Sequence, residues 1–366
     1  MLNFFPRTVF RSLPIASDLP VKSGDLFYVN DTIVPRSAST DSNDVVKRVM
    51  WQPRQFRANC RRQPATGDAA IEFPSPLPQG EANWDRVVLD WHIARDQARQ
   101  FTCGPAVLVL DILQGGNRVS GYIAKTLAKN GIHGFVMHMP QNGSRGTPGR
   151  THDWSRFLPS LRQAAGDARR ARDVIGALPL VNGCISLQGT SLGGFVATLT
   201  GSIDRAFHTV LLALTGGDVH GVLTKGRIDA KRVLRHLLDA GYNDQRLREE
   251  LWQIEPLRIA HRLNPRRTWL FSARFDQVIP RSNSDRLAAA IGLDYQHHRQ
   301  FAGCHYTCAL GARRFLAELI RAVPRESTQT ESAPAILAAP VPKPSTAHYT
   351  LAYPTATVSP VLACAG

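Results

Sequence analysis

No apolar run in this 366-residue chain approaches the roughly 18 residues that a membrane-spanning helix needs. The longest, Ala106 to Leu110 and Val210 to Leu214 with their flanks, are of strand length, which excludes a helical membrane span. The N-terminus, Met1-Leu-Asn-Phe-Phe-Pro-Arg, lacks a basic segment before its apolar residues, a convincing apolar core and a small-residue cleavage site. Secretion is therefore unsupported and a cytoplasmic location is expected. Cysteine is sparse: six residues (Cys60, Cys103, Cys184, Cys304, Cys308, Cys364) are scattered through a chain long enough to bury its own core. Free thiols in a reducing compartment fit that usage better than a disulfide framework.

Acidic residues are also few, 29 against 44 Lys and Arg, and the resulting charge of +15 could favour anionic partners. Yet the basic residues are spread over many segments, with no aromatic-interleaved patch and no nucleic-acid motif, so specific nucleic-acid binding is not expected. The charge reads mainly as a solvated surface, with peripheral lipid or polyanion contact as the second reading. Gly143-Ser144-Arg145-Gly146 has the glycines of a phosphate loop but lacks its lysine and following Ser or Thr, and reads as a surface loop.

What is present is a regular alternation. From Trp84 onward, apolar strands (Val87 to Trp91, Ala106 to Leu113, Gly134 to Met139, Cys184 to Gln188, Thr209 to Leu214, Thr268 to Ala273) alternate with helical patterns, the longest from Trp154 to Leu178. A last short strand is expected near Tyr295 and a final helix from Tyr306 to Ala322. Strands buried on both faces and alternating with helices predict an α/β fold with a mostly parallel central sheet and helices on both faces. Residues 1–83, rich in Pro, Ser, Asp and Arg, read as an irregular N-terminal extension; the main domain spans 84–323. The Pro-, Ala- and Thr-rich segment 324–366 reads as a disordered tail. An insertion at about 216–266 carries two apolar stripes (Val233, Leu234, Leu237, Leu238; Leu247, Leu251, Ile254). It falls at the carboxyl edge of the sheet, where it is expected to cap a site or to be an ordinary pair of packing helices.

Chemistry concentrates at Gly189-Thr190-Ser191-Leu192-Gly193, between the apolar strand ending at Gln188 and a small-residue helix. G-x-S-x-G between strand and helix is the pattern of a nucleophile elbow, with Ser191 exposed on a strained turn. A serine nucleophile needs a base and an acid to orient that base. Asp276 follows the strand 269–273 in Arg274-Phe-Asp-Gln-Val-Ile-Pro280, and His305 follows the last strand in Phe301-Ala-Gly-Cys-His305. Asp218, in Gly216-Gly-Asp-Val-His220, is the alternative acid, while His297 and His298 read as packing or surface residues. The backbone N–H groups of Leu192 and Gln114 are the expected oxyanion hole. Cys304, His305 and Cys308 offer soft ligands, but their C-H-x-x-C spacing is not that of a zinc knuckle, and no metal or other cofactor is expected.

Over roughly residues 84 to 322 the chain resembles the α/β-hydrolase superfamily, and within it a branch of abhydrolase domain-containing proteins. The likeness lies in Leu113-Gln114-Gly115, in Met139-Pro-Gln-Asn-Gly-Ser-Arg145 and in the run from Leu212 to Gly226 ending in Gly-Val-Leu-Thr-Lys-Gly. Two departures stand out: Met139 replaces an asparagine, and Ile112-Leu113 replaces the His-Gly that opens many oxyanion loops. The resemblance implies Ser191 as nucleophile, Asp276 as acid and His305 as base, acting on a carboxylic ester or a lipid; taken with the site residues, the expected activity is hydrolysis of an ester, thioester or acyl lipid. Acyl transfer to another acceptor, peptide hydrolysis and non-catalytic binding on the same fold are the alternatives.

Overall fold

Side chains alternating in and out of a pleated strand make β5 (Gly104–Leu110) the centre of the protein: Val107 and Val109 enter one apolar cluster, Leu108 and Leu110 the other. The computed structural model describes residues 24–34, 43–62, 66–146, 152–307 and 312–325. Within them a ten-stranded mixed sheet runs in the order β1-β2-β3-β4-β6-β5-β7-β8-β9-β10. β4 is Arg86–His92, β6 His133–Met137, β7 Val181–Thr190, β8 Val210–Ala213, β9 Thr268–Ala273 and β10 His298–Phe301. The six strands from β6 to β10 pair in parallel, as the alternation predicts.

Helix α2 (Arg118–Ala128) and α9 (Ala312–Ala322) cover one face, contributing Ile123, Leu127, Leu316 and Leu319 to one cluster. On the other face lie α3 (Phe157–Gly176), α4 (Leu192–Asp204) and α8 (Arg281–Ile291), with Leu161, Ala168, Leu199 and Leu287 in the second cluster. Chain order reverses beside β5: β6 lies on one side of it and β7 on the other. In open α/β sheets, ligands bind outside the carboxyl ends of the strands at such a switch point, here those of β5 and β7.

The reading of residues 1–83 as an irregular extension is corrected in its described part. β1 (Asp25–Asn30), β2 (Gln55–Arg62) and β3 (Ala69–Pro74) continue the sheet antiparallel from β4, with the short helix α1 (Asn43–Arg48) between the first two. In β2 the inward residues are Phe56, Ala58 and Cys60, alternating with Arg57, Asn59 and Arg61. One large inward side chain, Phe56, followed by the small Ala58 and Cys60 between polar outward residues, carries too little hydrophobicity to stand out as a strand. The expectations for residues 1–23 and for most of the tail lie outside the described residues.

Three arginines stand apart from the solvated surface: Arg145, Arg169 and Arg170 are fully buried, so Arg145 does not share the exposure expected of the surface loop that carries it. Arg145 pairs with Asp167 at 2.8 Å; Arg169 pairs with Asp173 at 3.0 Å and Asp204 at 2.7 Å; Arg170 pairs with Asp31 at 2.6 Å. Four described cysteines, Cys60, Cys103, Cys184 and Cys304, are free thiols. Among the described residues no helix is long and apolar enough to cross a membrane.

Two buried histidines make stability pH-dependent. His133, at the start of β6, accepts from Ala94 N–H (3.0 Å) and Trp91 Nε1–H (3.2 Å) at Nδ1, so Nε2–H donates to Leu180 O at 2.8 Å. Burial pushes its pKa, and that of His92, down to about 4. Because an unfolded histidine titrates near 6.5, the unfolded chain binds more protons between those values. The stabilisation is present above pH 6.5 and is lost as pH falls through 4. Denaturant unfolding between pH 7.5 and 4.5 should show stability falling by up to about 1.4 kcal/mol per pH unit for each histidine in that window. A flat profile would contradict these neutral buried imidazoles.

Candidate active site

β7 ends at Thr190, Ser191 takes φ 54° and ψ −114°, and α4 begins at Leu192. A non-glycine residue with positive φ outside the left-handed helical well is strained, and it persists only where its surroundings over-determine it. Here they do. Ser191 N–H donates to Ala213 O of β8 at 2.8 Å, and its carbonyl accepts from Phe195 N–H in the first turn of α4. A Cβ at Gly189 would overlap Gly193, and one at Gly193 would lie 2.6 Å from Asp111 O and also strike Leu110 O. Only glycine at these two positions lets the elbow close against the end of β5. Leu192 N–H, at the first position of α4, has no acceptor within the helix.

The loop leaving β5 carries Gln114, exposed and with φ 53°. Its shape depends on Asp111, which sequence reasoning did not single out. The Asp111 carboxylate accepts from Asn117 N–H at 2.7 Å and Ser120 N–H at 3.3 Å, tying the loop to the first turn of α2. Burial pushes this carboxyl above its ordinary range while these donors oppose the shift. A short polar residue directly after an apolar strand was the only signal for it.

Asp276 and His305 meet across the ends of β9 and β10. His305 Nδ1 lies 2.7 Å from Asp276 Oδ2, and Asp276 Oδ1 accepts from Val278 N–H (2.8 Å) and Ile279 N–H (2.9 Å). Both side chains are nearly buried. A carboxylate accepts only, so Nδ1 carries the proton and Nε2 is left as the basic nitrogen. The alternative acid is otherwise engaged: Asp218 Oδ1 caps α5 (Val219–Lys225) by accepting from Gly221 N–H at 3.0 Å, and Oδ2 pairs with Arg286. His297 pairs with Asp294 at 2.8 Å and packs against Trp269, while His298 bonds Ser272 Oγ at 2.9 Å. Among the described residues no cluster of three or more His, Cys, Asp or Glu side chains could hold a metal ion; Cys308 lies outside them.

The insertion carries α5, α6 (Asp229–Asp239) and α7 (Asp244–Trp252), one helix more than its two stripes predict. Val233, Leu237, Leu247, Leu251 and Ile254 are buried, whereas Leu238 is exposed. Glu255, also missed, binds the two ends of the insertion together, accepting from Asp218, Val219 and Leu257 N–H groups at 2.8 to 3.0 Å. The insertion also touches the acid and base loops. Arg227 N–H donates to Gln277 O at 2.7 Å, Val222 and Ala230 pack with Val278, and Tyr306 O–H donates to Asp229 Oδ2 at 2.5 Å. The Tyr306 ring meets His305 edge-on, with centroids 5.6 Å apart.

No protein-family model matches this sequence, and no curated protein matches it. Solved structures do. The acetyl xylan esterase from Paenibacillus sp. R4 aligns with a TM-score of 0.56 at 12% identity, over 80% of this chain and 98% of that one. Acetyl xylan esterase 1 from Thermoanaerobacterium sp. JW/SL YS485 gives 0.55 at 14%, over 79% and 96%. The α/β hydrolase GrgF from Penicillium sp. sh18 gives 0.50 at 16%, over 69% and 96%. The chain therefore has the α/β-hydrolase fold, the fold its sequence resembles.

Proposed function

We propose that this protein is a serine hydrolase of carboxylic esters, with thioesters and acyl lipids in the same reach. The observation that carries the reading is the His305–Asp276 hydrogen bond at 2.7 Å, its carboxylate held by two backbone N–H groups, in a fold whose strained elbow bears Ser191. Ser191 Oγ attacks the acyl carbon as His305 Nε2 takes its proton, and the Leu192 and Gln114 N–H groups receive the oxyanion. The tetrahedral adduct collapses as His305 protonates the leaving alcohol. Water, deprotonated by the same nitrogen, then releases the acid and restores Ser191. Asp276 holds the ring and stabilises its cation. No cofactor enters the cycle. Membership of the abhydrolase domain-containing branch is the finer form of this reading, carried by its short loop likenesses.

A fluorophosphonate probe is expected to label wild-type protein at Ser191, as mapped by peptide mass spectrometry, and not to label that peptide in Ser191→Ala. Wild-type protein that turns over no acyl ester and takes no probe at Ser191 would overturn the reading. Tyr306→Phe is a finer test, because it removes the hydroxyl that ties the base's neighbour to the insertion. Because that contact is solvent-exposed and acts on His305 only through the neighbouring ring, its loss is expected to lower kcat by up to about tenfold with KM little changed. An unchanged kcat would mean that the Tyr306–Asp229 contact does not position His305.

A further inference from the structure

A second serine faces a second histidine. His138 follows β6 directly and is buried, as is Asp90 of β4; His138 Nε2 lies 2.9 Å from Asp90 Oδ2. Because the carboxylate can only accept, Nε2 carries the proton. Although burial opposes ionisation of Asp90, the imidazole donor holds its carboxyl below the ordinary range. Nδ1 therefore presents its lone pair to the loop at Gly143–Arg145. There it accepts Ser144 N–H at 3.0 Å and lies 2.8 Å from Ser144 Oγ. With no proton on Nδ1, the hydroxyl must be the donor in that contact.

The loop is shaped for this approach. Gly143 has φ 56°, and a Cβ there would lie 2.7 Å from His138 Nδ1. Any other residue would strain the turn and push Ser144 off the ring. Ser144 itself is exposed, and its hydroxyl rests on a buried imidazole that a buried carboxylate orients. A hydroxyl within reach of a base that is oriented by a third group is the arrangement that activates nucleophiles.

We propose that Ser144 is a second nucleophilic hydroxyl, activated by His138 and Asp90 and independent of Ser191, which takes up acyl or phosphonyl groups from activated esters. In the acyl case the Ser144 Oγ–carbon bond forms and the carbon–oxygen bond to the leaving group breaks. The serine proton passes to His138 Nδ1 and from there to the departing phenolate or alkoxide, leaving O-acyl-Ser144 and a free alcohol. Ser144 N–H donates to the same Nδ1, so the hydroxyl shares its acceptor with a second donor. Acylation is consequently slow and stoichiometric rather than a rapid cycle.

The full-length Ser191→Ala protein should be incubated with excess p-nitrophenyl acetate and, separately, with an alkyl fluorophosphonate, then digested and mapped by mass spectrometry. Ser155 is the internal reference: it is exposed, but its hydroxyl bonds the Asp153 carboxylate rather than an imidazole. General-base assistance predicts modification of Ser144 about 100-fold or more faster than Ser155. His138→Gln in the same background should bring Ser144 to the Ser155 rate; should that variant fail to fold, Gly143→Ala, in the exposed loop, should do the same. Ser144 reacting no faster than Ser155, or as fast without the imidazole contact, would overturn the proposal. Wild-type protein mapped in parallel reports on Ser191 separately, so either reading can fail while the other stands.

Discussion

Ser191→Ala is expected to lower kcat on an acyl ester by about a million-fold while leaving the fold intact. The size follows from the role. Without Oγ no acyl-enzyme forms, and what survives is the rate enhancement of an oxyanion hole and binding alone. Asp276→Asn should cost about 10⁴-fold, because an amide at that position can donate to Nδ1 and turn the imidazole to the wrong tautomer. The two oxygens of Asp276 make this sharper here: Oδ1 is held by Val278 and Ile279 N–H groups, so only Oδ2 is presented to His305. The decisive measurement is the double variant Ser191→Ala/His305→Ala. Residues acting as one unit are non-additive, so the double variant should be no slower than Ser191→Ala. Costs that add would show that the two residues act separately.

The largest expected loss of stability lies far from that chemistry, at Asp31. Its carboxylate receives Arg170 through two bonds, Nε to Oδ1 at 2.8 Å and Nη2 to Oδ2 at 2.6 Å, and also accepts Trp51 Nε1–H at 2.7 Å and Arg54 N–H at 3.2 Å. The Arg170 guanidinium lies 4.5 Å from the Phe56 ring and donates to Pro74 O. One buried pair thus joins helix α3 to the segment bearing β1–β3. Asp31→Ala leaves a fully buried cation without its counter-charge, at a cost of about 3–5 kcal/mol. Urea denaturation followed by circular dichroism should show a lower midpoint. Replacing the pair together, as Asp31→Leu/Arg170→Met, should restore much of the loss, because apolar side chains of similar volume remove the orphaned charge. An Asp31→Ala unfolding free energy within about 0.5 kcal/mol of wild type would show that water reaches the guanidinium.

Legibility in the sequence followed hydrophobic contrast. β5, β7 and β9 are apolar runs closed by turn residues, and they stand where the sequence places them. β2 was illegible because its inward face is Phe56, Ala58 and Cys60, and because three arginines and an asparagine share the strand. The helix α5 was missed for a related reason: at seven residues, with only Gly221, Val222 and Leu223 buried, it has no stripe to read. Asp111, Glu255 and Tyr306 carried no motif: Asp111 accepts from the backbone of the following turn, Glu255 gathers N–H groups of Asp218, Val219 and Leu257, and Tyr306 reaches Asp229 across the insertion.

From residues alone, the sequence determined the parallel half of the sheet, the elbow at Ser191 and the candidate pair Asp276 and His305. It could do so because glycine sterics and apolar burial are local properties of the chain. Only the tertiary structure decided that Asp276 rather than Asp218 meets His305, that Arg145, Arg169 and Arg170 are interior ion pairs, and that Ser144 rests on His138. Each depends on which distant segments the sheet order brings within about 3 Å, the range over which hydrogen bonds act. A linear sequence does not encode those distances until the strands have paired.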